Sequence, residues 1–329
     1  MNSSQKIFIT GGAGYVGCVL TEALLRLGHS VTVLDLMIYG ENLLEESENL
    51  KLIRGDIRDK ALLQKHLPGH DILIHLACIS NDPSFELDSN LGKSINYEAF
   101  TPLVVLSKDL GIKRFIYASS SSVYGIKQEP SVTEEMSLEP LTEYSKYKAM
   151  CEDVLEKYND EGFTTVTIRP ATVCGVSRRQ RLDVIVNIFT NLAYNRREIS
   201  VYGGRQYRPN IHIDDMVDAY ITLIDASSHL INNQKFNVGY KNQTVLELAN
   251  IVRDVVGKDV SLKTTKSDDN RSYHISSKKI DVILNFKAKR SIKDAVKDLT
   301  KSFENHILID PLNNELYFNI KRMQSINLD

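Results

Sequence analysis

KIFITGGAGYVG, residues 6–17, decides the fold of this chain. KIFIT is a short run of β-branched and aromatic residues, of strand length and strand composition. GGAGYVG (11–17) follows it, with Gly11, Gly14 and Gly17 evenly spaced, and opens a helical pattern over 15–27. Glycines let a backbone turn tightly and approach a diphosphate, which then sits at the positive end of the next helix. The spacing is one residue away from the usual GxGxxG, and glycines alone also make ordinary turns. The context supplies the rest. SVTVLD (30–35) reads as a second strand and ends in Asp35, eighteen residues after Gly17. An acid there accepts hydrogen bonds from both ribose hydroxyls of a dinucleotide and repels a 2′-phosphate, which predicts NAD over NADP.

Further along the chain the same rhythm repeats. LKLIRGD (50–56), DILIHLA (71–77), KRFIYASS (113–120) and TTVTIRP (164–170) read as strands. Helical stretches at 58–67, 90–110 and 144–158 separate them. Apolar strands alternating with helices predict a parallel sheet covered on both faces. The expected fold is α/β, a Rossmann-type doubly wound parallel sheet over 1–170, with a smaller α+β substrate domain over 171–329. Segments of that second part are expected to pack back on the first sheet. Its predicted elements are helices at 182–196, 214–226 and 244–256, a strand at FNVG (236–239), and a loop with a short strand in YGGRQYRPNIHIDD. The tail NIKRMQSINLD carries little core signal.

Bulk composition narrows the function. Of 329 residues, 42% are hydrophobic and 25% charged, ordinary values for a globular protein. A net charge of −2 gives no electrostatic basis for binding nucleic acid or an anionic membrane. No apolar run approaches the roughly 20 residues of a membrane helix. MNSSQKIFIT enters a strand with no signal-peptide pattern, so a cytoplasmic protein is expected. The four cysteines are widely spaced and expected to be reduced, and no metal-ligand spacing is present.

Two further stretches carry chemistry. YASSSSVYG (117–125) puts a hydroxyl cluster at the C-terminal end of the fifth strand, the edge of a parallel sheet where ligands bind. TEYSKYKAM (142–150) begins a helix on which Tyr144 and Lys148 lie one turn apart on one face. Tyr147 has Cys151, not a lysine, at that offset, so only one Tyr–Lys pair can act together.

With these motifs in place, the chain resembles the extended short-chain dehydrogenases/reductases, the NAD-dependent epimerase/dehydratase group acting on nucleotide sugars. The resemblance runs from about residue 6 to about 300 and rests on GGAGYVG, Asp35, GDIRD (55–59), HLA (75–77), INYEAF (95–100), SSSSVYG, YSKYK, RPATVCG (169–175), RPNIHIDD (208–215) and FNVG. It implies Tyr144 as catalytic acid/base, Ser120 as its hydroxyl partner, and Lys148 as the group that holds the nicotinamide ribose and lowers the tyrosine pKa. The cofactor contacts it implies are Gly11, Gly14, Tyr15, Val16, Gly17, Asp35, Asp56, Ile57, Leu76, Ala77, Tyr144, Lys148 and Pro170, with Asn96 ordering the active-site helix. For a nucleotide-diphosphate sugar it implies Ser120, Ser121, Arg208 and Arg271, with Asn187 as a candidate contact; Arg181 reads equally well as solvated. Arginine suits a diphosphate because its planar fork donates two parallel hydrogen bonds. A homodimer is expected.

Departures from the family pattern bear on the reaction. Its 4,6-dehydratases carry Asp-Glu directly after the catalytic hydroxyl residue, where this chain has Ser121 and Ser122. Its 3,5-epimerase/reductases use a Cys and a His where this chain has Ser122 and Ser177. What remains needs only Tyr, Ser and NAD. The expected reaction is C4 epimerisation through a transient 4-keto sugar. A nucleotide-sugar 4-dehydrogenase/reductase, for example on a GDP-heptose, and a non-catalytic NAD-binding regulator stay open. Cys174 is expected to be a packing cysteine.

Overall fold

A computed structural model describes residues 4–266, 272, 274–326 and 328. Seven strands form one parallel sheet: β1 (Lys6–Thr10), β2 (Ser30–Asp35), β3 (Leu50–Arg54), β4 (Ile72–His75), β5 (Arg114–Ala118), β6 (Thr164–Pro170) and β10 (Gln234–Val238), in spatial order β10-β6-β5-β4-β1-β2-β3. Apart from the edge strand β3, where only Ile53 is buried, their side chains alternate between two buried faces. Ile7 and Ile9 pack with Leu20 and Leu24 of helix Tyr15–Arg26 and Met216 and Leu223 of helix Ile213–Asp225. Phe8, between them, enters the opposite layer with Phe100 and Leu103 of helix Phe100–Asp109 and Leu155 of helix Glu143–Tyr158. Truncating such a fully buried phenylalanine to alanine costs about 3–5 kcal/mol. Strands buried on both faces have no polar side, which is why they read as continuous apolar runs.

The order of strands reverses between β1 and β4. Connections leave toward opposite sides there, opening a crevice beyond the carboxyl ends of those strands. Thr10, at the end of β1, lies beside Leu34 of β2 and His75 of β4, so three loops start from one line.

Past residue 170 the chain builds two small sheets. β7 (Thr172–Cys174), β9 (Tyr207–His212) and β11 (Lys241–Thr244) form one, and β8 (Glu198–Tyr202) pairs in parallel with β12 (Ser261–Thr265). Helices Ile185–Arg196, Val245–Val256 and Ile292–Glu304 cover them around a core that includes Val186, Ile199, Leu248 and Val296. β10 and helix Ile213–Asp225, both from this half, belong to the large sheet and its layer.

The predicted helix over 90–110 is instead three pieces: Ser89–Lys93, a π-helical turn at Ser94–Glu98, and Phe100–Asp109. Beyond the predicted elements, the structure adds the helices Lys278–Leu284, Ile292–Glu304 and Asn319–Ser325. Among the described residues no helix is long and apolar enough to cross a membrane, and no group of three His, Cys, Asp or Glu residues is placed to hold a metal.

Candidate active site

The crevice is a cleft of about 390 Å³, and its floor is the glycine loop. Gly11 has φ +75°, and a Cβ there would stand 2.6 Å from the Ala77 backbone nitrogen. Only glycine permits that close approach. Gly14, at the N-cap of helix Tyr15–Arg26, has no side chain to cap the first turn, so its N–H groups and the positive end of the helix dipole are left for a ligand. Tyr15, Val16 and Gly17 line the same floor.

At one end of the cleft Asp35 closes β2. Its carboxylate accepts from the Ala13 amide at 3.0 Å and the Met37 amide at 2.8 Å, and burial raises its pKa. Asp56 and Ile57 also line this end; Asp56 is clamped by Arg58, whose amide and guanidinium both donate to it at 2.7 Å. Leu76 and Ala77, after β4, form one wall, and Pro170, ending β6, reaches the cleft as well.

The other end carries the hydroxyl and amine groups. Thr142 caps helix Glu143–Tyr158 in a reciprocal box with Ser145, fixing where the helix begins and so where Tyr144 points. Tyr144 and Lys148 both line the cleft, together with Ser120 and Ser121. Tyr147 turns away and stacks on Tyr97 with centroids 5.3 Å apart. Ser120 Oγ accepts from the Ser122 amide at 3.1 Å and lies 2.8 Å from Ser122 Oγ. Asn96 stands behind the lining. Its amide donates to Ile79 O and accepts from Ile79 N, at 2.9 and 2.8 Å, and its own carbonyl accepts from the Cys151 thiol. The π-helical turn presents Asn96 to both the Ile79 loop and the Tyr144 helix.

Lys148, expected to hold the nicotinamide ribose and lower the Tyr144 pKa, donates its Nζ to Ala118 O at 2.7 Å and stands 5.9 Å from the Tyr144 ring centroid. Burial raises the phenol well above the ordinary tyrosine range, Cys78 and Asp82 add to the rise, and Arg181 opposes it.

A model of the NAD dependent epimerase/dehydratase family matches residues 7–239. The chain belongs to that family. The match ends one residue beyond β10, so it spans the whole large sheet and leaves the C-terminal segment outside. The chain is 25% identical over 330 residues to a UDP-glucose 4-epimerase from Lactobacillus helveticus, covering 92% of this chain and 98% of that one. To UDP-glucuronic acid decarboxylase 1 from Arabidopsis thaliana it is 28% identical over 319 residues, with coverage of 92% and 71%. The solved structure of UDP-N-acetylglucosamine 4-epimerase from Methanobrevibacter ruminantium M1, in complex with UDP-N-acetylmuramic acid, matches with a TM-score of 0.84 at 25% identity, covering 93% of this chain and all of that one (100%).

The cofactor of the NAD dependent epimerase/dehydratase family is NAD, and the cleft fits a dinucleotide. It has a glycine cradle that a Cβ would fill, an uncapped helix start, and an acid closing β2. The predicted substrate contacts are placed less simply. Asn187 is buried and off the lining; its amide donates to Tyr15 Oη at 2.9 Å and Arg181 O at 2.7 Å and accepts from Gly175 N at 3.1 Å. It therefore orients Tyr15 and the 175–181 loop. Arg208 lies on β9 away from the cleft lining, donating to Tyr207 O at 2.9 Å. Arg271 falls outside the described residues. Cys174 is buried in the core of the small sheets, where its thiol donates to Ile211 O at 3.4 Å.

Sequence reading left Arg181 open and missed Arg179 and Asn319, all three of which line the cleft. Arg181, expected to be as readily solvated as bound, is only 11% exposed, with Nε on Asp183 at 2.9 Å and Nη1 on Ser80 Oγ at 3.3 Å. Arg179 is 3% exposed, its guanidinium stacked 3.5 Å from the Tyr39 ring centroid. Asn319, from the tail, also reaches the cleft. The spacing Arg181-x-Asp183 was the available signal, since residues two apart on an extended segment share a side.

Proposed function

We propose that this chain epimerises C4 of a nucleoside-diphosphate sugar through a transient 4-keto sugar. The observation that carries the reading is the convergence of Tyr144, Ser120 and Lys148 on one end of a dinucleotide cleft that has Ser121 and Ser122 where a dehydratase needs acids. The relatives named as 4-epimerases support it. When bound, NAD supplies the two-electron acceptor that takes the C4 hydride and gives it back. Tyr144 Oη takes the proton of the C4 hydroxyl as that carbon is oxidised and returns it on reduction. Ser120 Oγ, already polarised by Ser122, donates to the developing carbonyl oxygen. Lys148, buried and anchored on Ala118 O, holds its positive charge beneath this end of the site. Asp82 shares the tyrosine's end of the cleft, but Thr142 Oγ1 donates to it at 2.6 Å, which orients that carboxylate toward the helix cap.

The test is a panel of UDP-, GDP-, dTDP- and CDP-sugars deuterated at C4, with products read by NMR. Epimerisation returns the label to C4 of an inverted sugar. A 4-keto sugar in solution, with the label on the reduced cofactor and no inverted product, would replace this reading with a 4-dehydrogenase.

A further inference from the structure

Arg179 is a buried cation without a counter-ion. Among the described residues no carboxylate lies within ion-pair distance of it, and its Nε has no hydrogen-bond partner. Arg181, on the same wall, is paired with Asp183 but leaves its Nη2 without a partner. A buried charge that is neither paired nor fully hydrogen-bonded is expensive, and burial pushes the Arg179 pKa down to about 10. Such a group makes sense where an anion arrives.

The location says which anion. The segment carrying Arg179 is tied to the open first turn of helix Tyr15–Arg26: Ser177 Oγ donates to Tyr15 O at 2.7 Å, and Tyr15 Oη to Gly175 O at 2.8 Å. The C-terminal segment holds Arg179 from the other side. Asn319 Oδ1 accepts from its Nη2 at 2.5 Å, while the Asn319 amide donates to Asp183 at 2.8 Å and its Nδ2 to Ser80 Oγ at 2.9 Å. Arg322 Nε donates to Ile38 O, so the tail bridges the loops after β2 and β4.

We propose that Arg179, set in place by Asn319 and flanked by Arg181, is a diphosphate-binding residue that completes the anion site begun by the glycine loop. This rests on the family's dinucleotide and not on C4 chemistry. ADP-ribose has no reactive nicotinamide ring, so its binding reports on the site whichever sugar carbon reacts.

The experiment is calorimetry on nucleotide-free protein, wild type against Arg179→Met, with ADP-ribose as the cofactor probe and UDP and GDP as substrate probes, beside melting curves. ADP-ribose affinity should fall at least tenfold. The unliganded variant should melt close to wild type, because methionine gives up the Asn319 hydrogen bond but also removes a buried charge that has no counter-ion, while filling similar space. Arg179→Lys should recover part of the affinity, and Asn319→Ala should lose several-fold in the same direction. A loss confined to UDP and GDP would overturn the proposal, because it would move Arg179 from the cofactor's diphosphate to the substrate's. Unchanged affinity for all three probes would overturn the proposal. So would a lower melting temperature of the free variant with an unchanged ligand-induced shift, since that is the mark of a purely structural arginine. If Arg179→Met does not accumulate, Arg179→Gln gives the same comparison.

Discussion

Asp35→Asn tests the cofactor end of the cleft. The native carboxylate uses both oxygens on backbone donors, Oδ1 on Met37 at 2.8 Å and Oδ2 on Ala13 at 3.0 Å. Asparagine has one carbonyl oxygen, so its NH2 must face one of those two N–H groups. That loses a hydrogen bond and strands a donor, which should cost about 1–3 kcal/mol of stability. The second effect is on the ribose. Hydrogen bonds to a charged acceptor contribute about 1.5–3 kcal/mol, so NAD should bind roughly ten- to a hundredfold more weakly to the variant. NADP loses nothing comparable, because the like-charge repulsion of its 2′-phosphate disappears together with the carboxylate. The ratio of NAD to NADP affinity should therefore fall by at least about tenfold. Calorimetry with both dinucleotides measures that ratio, and a melting curve establishes that the variant is folded. A folded variant whose ratio stays within threefold of wild type would refute the placement of Asp35 against the ribose.

Tyr144→Phe should abolish turnover while leaving NAD affinity within a fewfold of wild type, because only the proton-carrying oxygen is removed; Tyr147→Phe, which loses only the hydroxyl of a ring stacked on Tyr97, should stay active. If Tyr147→Phe is the dead variant in a turnover assay, the helix register is misread. The raised Tyr144 pKa means that the base form grows as pH rises, so turnover should climb toward alkaline pH. Arg181 opposes that rise, so Arg181→Met should move the limb of the pH–rate profile to still higher pH, and a limb that stays put would remove Arg181 from the tyrosine's electrostatics. His75 is buried, lies 2.7 Å from Thr10 Oγ1, and has its pKa lowered to about 3 by burial and by Lys148. The folded state keeps it neutral while the unfolded chain takes up a proton near its ordinary value. Stability is therefore lost as pH falls from about 6.5 toward 3, by about 2 kcal/mol between pH 7 and pH 5. His75→Leu should flatten that part of the acid limb in melting experiments, and an identical limb in both proteins would mean that the histidine does not titrate on unfolding.

The parts of the molecule legible in the sequence are those whose partners are local or periodic. β1 could be read because Ile7, Phe8 and Ile9 are all buried, on alternating faces, and a run without a polar side is itself the signal. The Tyr144–Lys148 pair could be read because a helix sets its spacing and Thr142 sets its start. The π-helical turn at Ser94–Glu98 could not be, because an added residue in one turn barely alters an apolar pattern already consistent with one long helix. The basic run SRRQR hid its meaning for a different reason. Arg178 is exposed and pairs with Glu22 at 2.7 Å, whereas its neighbour Arg179 is buried against Tyr39. Identical residues one position apart take opposite environments when the chain is extended and one side faces a cleft. The tail was opaque on the same principle. Asn319 and Arg322 hold it through hydrogen bonds to Asp183, Ser80, Arg179 and Ile38, groups between 136 and 284 residues away in sequence. Such anchoring requires no hydrophobic period, so a polar tail that closes a site and one that hangs free look alike until the fold brings its partners together. That is why the arginines and asparagine at the rim of this cleft, and not its glycine floor, had to come from the structure.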